Sequence, residues 1–163
     1  QSRLLLKNNA YAKPGVVQSA YERLQRLGFD MSRVQFEQAS RDYMNRYLDV
    51  DIALDTYPWP GGGTTCDALY MGVPVVTMYG TRRSTRFSYA MLHLVGAEEL
   101  AVTSAAAYIS CAVSLAEDPD RLDEMHRTLR RKMETSPLMD QRGYMRALEE
   151  VYIMALRNAG QGL

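Results

Sequence analysis

The sequence has few cysteines, no excess of charge of either sign and no long run of apolar residues. Its two cysteines, Cys66 and Cys111, are far apart and lack metal-ligand spacing, which indicates reduced thiols of a cytoplasmic protein and no zinc site. Nineteen basic residues balance nineteen acidic ones, so the chain lacks the positive charge that nucleic-acid binding usually requires. We therefore expect neither nucleic acid nor a metal ion as a partner.

Membrane and export signals are also missing. No apolar stretch approaches the roughly 18 to 20 residues that cross a bilayer, and the N-terminus lacks the basic-then-apolar pattern of a signal peptide. We expect no membrane partner. The chain begins at Gln1 without a methionine and soon enters the apolar segment Leu4–Leu6, so we expect it to be a piece of a longer protein.

The pattern that is present alternates short apolar runs with segments of helical period, and it predicts an α/β fold. We expect a Rossmann-like parallel sheet flanked by helices, with residues 1–163 forming one lobe. The sheet-containing part covers about 1–103, and a helical tail covers about 104–158. Strands are predicted at 4–7, 34–37, 50–54, 73–78 and 99–102. Helices are predicted at 14–27, 64–71, 84–95, 105–117, 119–134 and 141–158, with a brief one around Tyr43–Tyr47.

The strongest local signal is the glycine-rich turn between the strand at 50–54 and the helix at 64–71. Such a turn directs unpaired backbone N–H groups and the positive helix end toward one point, where a phosphate could bind. The hydroxyls of Thr64 and Thr65 could donate to its oxygens. Alternatively, Thr64 caps the helix and Asp67 closes a capping box. The two readings are compatible, because a capped helix start still presents its other donors.

The order of the elements favours a ligand, because in open parallel sheets ligands sit beyond the carboxyl ends of the strands. Asp55 also follows this strand end. It could receive a sugar or ribose hydroxyl, or it could cap the next turn.

Four stretches resemble the C-terminal catalytic lobe of O-linked N-acetylglucosamine transferases, including their bacterial and plant SPINDLY-like relatives. They are residues 51–58 (DIALDTYP), 61–67 (GGGTTCD), 68–77 (ALYMGVPVVT) and 136–138 (SPL). The resemblance covers Leu4 to about Leu156, and its specific part is 51–77. It implies one lobe of a GT-B glycosyltransferase that holds the uridine diphosphate of a UDP-sugar.

The resemblance also implies roles for particular residues. The diphosphate would be held by Gly62, Gly63, Thr64 and Thr65, and the ribose by Asp67. Uracil would stack on Tyr43 and contact Arg46, and the backbone amide of Ala39 would read its edge. For Tyr43 and Arg46 the alternative is a tyrosine packed on the surface beside a solvated arginine.

In this family the intact enzyme transfers N-acetylglucosamine from UDP-GlcNAc to Ser or Thr of proteins, and the resemblance implies no required cofactor or metal. The family's phosphate-binding lysine, acceptor-side catalytic groups and peptide-binding tetratricopeptide repeats would lie outside this chain. We therefore expect no catalytic residue here, no turnover by the chain alone, and acceptor binding through the missing N-terminal parts.

One departure concerns the turn itself, where animal enzymes have His-Thr-Thr and this chain has Gly62-Gly63-Thr64. The donor sugar is therefore open. The alternatives are a transferase that uses UDP-glucose or GDP-fucose or acts on Asn, and a non-catalytic nucleotide-binding or interaction module.

Several other residues attract a simpler interpretation. His93 and His126 have no partners at a suggestive spacing, so both are predicted to be structural. A basic cluster follows the strand at 73–78 (Arg82, Arg83 and Arg86); it is either an anion contact or a solvated face. The methionines are predicted to fill the core. The apolar face of the final helix is predicted to be partly exposed, with possible self-association through it.

Overall fold

The computed structural model describes residues 2–160. The chain divides into two compact units, residues 1–43 and 44–163. Both contain parallel strands and helices, so the predicted α/β fold is confirmed. That residues 1–163 form a single lobe stays a prediction.

The first unit is a βαβ element. It comprises β1 (Leu4–Lys7), α1 (Val16–Arg26) and β2 (Val34–Glu37), with 3-10 helices at Asn9–Ala12 and Met31–Arg33. The two strands are parallel, and Leu4 lies opposite Val34. At their carboxyl ends Lys7 Nζ lies 3.3 Å from a carboxylate oxygen of Glu37, so an ion pair closes the two-stranded sheet.

The second unit holds the larger sheet and most of the helices. Its strands are β3 (Ala53–Leu54), β4 (Val75–Met78) and β5 (Ala101–Val102), and all pair in parallel in the order β3-β4-β5. Its helices are α2 (Gly63–Tyr70), α3 (Phe87–Leu94), α4 (Ala105–Ala116), α5 (Pro119–Glu134) and α6 (Gln141–Gly160). Shorter 3-10 helices span Met44–Asp49, Arg83–Thr85, Glu98–Leu100 and Pro137–Met139.

The core of the second unit lies between this sheet and its helices. β4 is its central strand, and Val75 and Val76 are buried on it. One leucine from each of α2, α3, α4 and α5 is buried with them: Leu69, Leu92, Leu115 and Leu129. The middle strand β4 is therefore covered by helices, as expected of a strand inside a parallel sheet.

Local sequence signals fix the ends of these helices. Ser104 caps α4 by accepting from the Ala107 amide, and Asp118 caps α5 ahead of Pro119 at the first helical position. Helices α2 and α3 each end with a left-handed glycine, Gly72 and Gly96, followed by an amide that bonds back into the last turn.

Some predicted boundaries were wrong for identifiable reasons. The helix predicted at 14–27 begins at Val16, because Gly15 at its N-cap has a φ of 77° and Pro14 precedes it. The strand predicted at 50–54 shrinks to two residues, since the preceding 3-10 helix extends to Asp49. The helix predicted at 84–95 divides into a 3-10 helix and α3.

The last helix, α6, exposes a large part of its apolar surface, as the sequence predicted. Its exposed apolar side chains include Tyr144, Met145, Val151, Tyr152 and Leu156. No helix among residues 2–160 is both long and apolar enough to cross a membrane.

A matched pair of glycine substitutions tests the contact between α2 and α5. A Cβ on Gly72 would lie 2.6 Å from the backbone carbonyl oxygen of His126, whereas a Cβ on Gly96 would meet nothing within 4 Å. Both residues have a positive φ. We expect Gly96→Ala to lower the free energy of unfolding by about 1 kcal/mol through backbone strain alone. Gly72→Ala should cost about 1 to 3 kcal/mol more, because α5 must move.

Urea unfolding of both variants measures the difference, provided the slope against denaturant is unchanged. Equal losses of unfolding free energy in the two variants would show that the close approach of α5 to Gly72 does not affect stability.

Candidate functional site

The candidate site lies at the carboxyl edge of the larger sheet. Parallel strands end at one edge, so the loops after β3, β4 and β5 share it. The loop after β3 runs from Asp55 to Gly62 and enters α2 at Gly63. This is the glycine-rich turn that the sequence singled out.

The carboxylate of Asp55 holds this turn in place. One oxygen, Oδ2, accepts a hydrogen bond from the Thr77 hydroxyl on β4 at 2.6 Å. The other, Oδ1, accepts from the backbone amides of Gly61 at 2.7 Å and Thr56 at 3.0 Å. Both oxygens are used within the protein, so Asp55 caps and anchors the turn, which was one of its two predicted roles.

A second anchor comes from α3. The Ser88 hydroxyl lies 2.9 Å from the Thr65 hydroxyl and donates to the carbonyl oxygen of Gly61 at 3.1 Å. Ser88 and Thr65 are both buried, with 0% and 3% of their surface exposed. Gly61 is therefore held through its amide by Asp55 and through its carbonyl by Ser88.

The three glycines of the turn have different roles. A Cβ on Gly61 would lie 2.5 Å from the Thr65 hydroxyl and 2.6 Å from the Thr64 hydroxyl, so packing excludes any side chain there. A Cβ on Gly62 or Gly63 would meet nothing within 4 Å. The turn is tightly packed at its first glycine and open at the next two.

The start of α2 has free backbone donors. Gly62 is the N-cap residue, and no side chain forms a capping hydrogen bond there. The amides of Thr65 and Cys66 both bond to the Gly62 carbonyl, which leaves those of Gly63 and Thr64 without an intrahelical acceptor. The capping box predicted between Thr64 and Asp67 was wrong, because α2 begins at Gly63 and the cap position falls on a glycine.

The predicted ligand residues on α2 face different surroundings. Thr64 is exposed, and within residues 2–160 its hydroxyl accepts or donates no hydrogen bond. Thr65 turns its hydroxyl inward to Ser88. Asp67 is half-buried in the second turn of the helix. Thr64 and the amides beside it form the open side of the turn, and Thr65 supports it from inside.

Two tyrosines brace the surrounding backbone. The Tyr47 hydroxyl donates to the carbonyl oxygen of Thr64 at 3.3 Å, and the Tyr108 hydroxyl on α4 donates to the carbonyl oxygen of Asp55 at 2.9 Å. Burial, and to a smaller extent the charge of Asp55, raises the pKa of Tyr108 to about 12. Tyr108 is therefore a neutral hydrogen-bond donor over the physiological pH range.

The residues predicted to contact uracil lie before the second sheet. Ala39 and Tyr43 are exposed and belong to the first unit, in the segment after β2. Arg46 belongs to the second unit, in the 3-10 helix Met44–Asp49, and forms an ion pair with Asp49. Their assignment to a base stays a prediction.

Sequence reasoning missed the supporting residues Thr77, Ser88 and Tyr108. Thr77 gave a usable signal, since it is a polar residue inside the buried apolar run of β4 and such a group requires a partner. Ser88 and Tyr108 gave none, because their distance along the chain from Gly61 and Asp55 conceals the contact.

The part of the chain that the structure describes shows neither a metal-ligand cluster nor an activated thiol. Residues 2–160 contain no group of three or more His, Cys, Asp or Glu side chains placed to hold a metal ion. Burial raises the pKa of both Cys66 and Cys111, so neither thiol is activated as a nucleophile.

Comparison with known proteins identifies the family. The sequence profile of glycosyl transferase family 41 matches residues 4–148. The chain belongs to glycosyl transferase family 41. A parallel α/β sheet with an anchored glycine turn at its carboxyl edge is therefore part of the catalytic region of this family.

Individual proteins are also similar to this chain over most of its length. A barley (Hordeum vulgare) protein described as a probable UDP-N-acetylglucosamine–peptide N-acetylglucosaminyltransferase SPINDLY is 36% identical over 93% of this chain. A Caenorhabditis elegans UDP-N-acetylglucosamine–peptide N-acetylglucosaminyltransferase is 31% identical over 76% of it. The solved structure of a mutant O-GlcNAc transferase from Thermobaculum terrenum matches 98% of this chain with a TM-score of 0.90 and 32% identity.

This family 41 chain is short beside its relatives. It spans 16% of the barley protein, 11% of the nematode protein and 31% of the Thermobaculum terrenum chain. The activity of those longer proteins therefore enters only as a proposal.

Removing the Asp55 carboxylate tests its role as the anchor. We expect Asp55→Ala to lower the free energy of unfolding by about 2 to 3 kcal/mol, because the Gly61 amide and the Thr77 hydroxyl lose their acceptor. The exposed Asp51, just before β3, provides the control, and Asp51→Ala should change it by less than about 0.5 kcal/mol. Urea unfolding and the hydrogen-exchange rate of the Gly61 amide are measured for both variants. If the two variants behave alike, Asp55 is not the anchor.

Titration of Tyr108 gives an independent test. Its folded pKa of about 12 exceeds the ordinary tyrosine value of 10.0, so the folded state holds the proton more tightly than the unfolded state. The stability that this group contributes is complete below pH 10.0 and is lost as the pH rises through about 12. The wild-type minus Tyr108→Phe difference in tyrosinate absorbance should therefore have its midpoint near pH 12. A midpoint at the value of a free tyrosine would contradict the burial of this hydroxyl.

Proposed function

We propose that this chain is the donor-binding part of a protein O-glycosyltransferase and holds the uridine diphosphate of UDP-N-acetylglucosamine. The observation that carries the proposal is the open side of the glycine turn. There the amides of Gly63 and Thr64, the Thr64 hydroxyl and the start of α2 lie at the carboxyl edge of a parallel sheet. A diphosphate needs such fixed donors, because its negative charge increases as the sugar leaves.

The supporting contacts match this role. Donors stabilise a leaving group best when they do not have to reorganise, and Gly61 is fixed through both its amide and its carbonyl. Membership of family 41 adds the relatives described as N-acetylglucosaminyltransferases. In the proposed enzyme this chain is one lobe of a GT-B fold, and the other lobe supplies the acceptor site, so the chain alone is not expected to turn over.

Within this proposal each residue has a distinct task. Gly62, Gly63 and Thr64 hold the diphosphate, Thr65 stiffens the turn through Ser88, and Asp67 takes the ribose hydroxyls. Ala39, Tyr43 and Arg46 remain the predicted contacts of uracil. The proposal requires no metal or other cofactor, because hydrogen-bond donors and a helix end carry the charge stabilisation. Cytoplasmic localisation and self-association through α6 stay predictions.

A sugar carried by guanosine diphosphate is the second class of donor that the titration below tests. The two glycines at the turn leave open space where animal enzymes have a histidine and a threonine. This difference affects the sugar end of the donor, and it is why GDP is included below.

Nucleotide titration tests the proposed function directly. We expect UDP to bind with a dissociation constant of about 0.1 to 1 mM, since the other lobe is absent. Thr64→Ala and Asp67→Ala should each weaken binding several-fold. Calorimetry or ligand-observed NMR with UDP and GDP measures this.

The controls are Ser114→Ala on α4 and Asp123→Ala on α5, which remove the same kinds of side chain from exposed helix surface. Equal effects of site and control variants would remove the support for this turn as the binding site. Saturable preference for GDP would move the proposal to a guanosine-diphosphate donor. Absence of binding to either nucleotide, in a folded sample, would favour a module without a donor.

A further inference from the structure

The loop after β4 lies beside the glycine turn and has a fixed shape. It runs from Tyr79 to Arg86, across the same carboxyl edge of the sheet. The Gly80 amide donates to the Thr85 hydroxyl at 3.0 Å, and that hydroxyl donates to the Arg82 carbonyl at 2.8 Å. The backbone that carries Arg82 and Arg83 is therefore folded onto a buried threonine.

The arginines of this loop differ in what they contact. Arg86 lies over the rings of Tyr79 and Tyr89, at 5.6 Å and 5.3 Å from their centroids, and those two rings stack on each other. Arg82 and Arg83 are exposed, and neither pairs with a carboxylate anywhere in residues 2–160. By contrast, Arg121 and Arg130 do have carboxylate partners.

Exposed aromatic side chains lie in the neighbouring loop after β3 and directly after the loop that carries these two arginines. Tyr57 belongs to the loop after β3, and its hydroxyl lies 3.3 Å from where a Cβ of Gly80 would be, so the two loops touch. Trp59 in the same loop is 74% exposed, and Phe87 at the start of α3 is also exposed. We call Tyr57, Trp59, Arg82, Arg83 and Phe87 the arginine–aromatic rim.

The charge around the rim is not compensated locally. In the loops that follow β3, β4 and β5, Asp55 is the one acidic residue, and its carboxylate is already bonded to Gly61, Thr56 and Thr77. Helices α2 and α4 begin at this edge, which adds positive partial charge. Arginine together with exposed tryptophan, tyrosine and phenylalanine is the composition found at the centres of protein interfaces.

We propose that the arginine–aromatic rim binds an acidic segment of a polypeptide. The carboxylates of the segment would pair with Arg82 and Arg83, and its aliphatic or peptide groups would cover Tyr57, Trp59 and Phe87. A polypeptide fits better than a nucleic acid, because the chain as a whole has no net positive charge. That the segment belongs to an acceptor protein, whose Ser or Thr would enter the acceptor site of the other lobe, rests on the proposed function, whereas binding of an acidic peptide does not.

The chain contains its own reporter for this surface, because Trp59 is its one tryptophan. The probe is a short peptide with a central serine flanked by aspartates and glutamates and without aromatic residues. We expect saturable change in Trp59 fluorescence with this peptide, weakening as ionic strength rises. Matched peptides with glutamine and asparagine, or with lysine, in place of the acidic residues should bind far more weakly.

Charge removal locates the binding surface. Arg82→Gln/Arg83→Gln should weaken binding of the acidic peptide about three- to tenfold, as expected for two solvent-exposed ion pairs. The matched control is Arg142→Gln/Arg146→Gln on α6, which removes the same charge from another exposed surface and should leave affinity unchanged. UDP affinity, measured separately, should be the same in both double variants.

The possible results separate the two proposals. Three results would overturn the proposal that the rim binds an acidic segment. They are absence of peptide binding, equal binding of the neutral peptide, and equal losses of affinity in the two double variants. A loss of UDP affinity confined to Arg82→Gln/Arg83→Gln would also overturn it, since the arginines would then serve the donor. Peptide binding without UDP binding would support the rim and count against the proposed function.

Discussion

The carboxylate of Asp55 lies where three parts of the second unit meet. One oxygen is bonded to Thr77 in the middle strand of the sheet, and the other is bonded to the amide of Gly61 in the turn. A two-residue strand such as β3 has little pairing of its own, so this carboxylate adds a side-chain link between its end and β4. The turn takes its position from that link, and the free donors of α2 take theirs from the turn.

Buried polar groups carry this arrangement instead of apolar packing alone. Within residues 2–160 every buried side-chain nitrogen or oxygen has a hydrogen-bond partner. Thr65, Thr77 and Ser88 are therefore stable inside a largely apolar core only because they bond to one another, to Asp55 or to the turn. Such a network costs more to disrupt than a surface contact, since a lost partner leaves a desolvated group behind. The hydrogen bonds that fix the turn are therefore part of the buried network that also stabilises the core.

Sequence patterns predicted the elements well where local chemistry decides them. Strand β2 and helix α5 have the predicted boundaries, because β2 alternates apolar and polar residues and Asp118-Pro119 is a strong helix start. The start of α2 was misjudged, since a threonine and an aspartate three residues apart suit a capping box in any context, and here a glycine takes the cap. The inward direction of Thr65 was beyond prediction, because its partner Ser88 is distant along the chain and only tertiary packing brings it near.

Gly61 has much less space for a side chain than Gly62 and Gly63 have. Any side chain at position 61 collides with the hydroxyls of Thr64 and Thr65, whereas positions 62 and 63 open onto free space. A side-chain Cβ can therefore be introduced at the latter two positions without displacing a neighbouring atom. Descendants of one ancestral lobe could thus diversify what they accept at this edge through a few substitutions, while the backbone beneath stays the same.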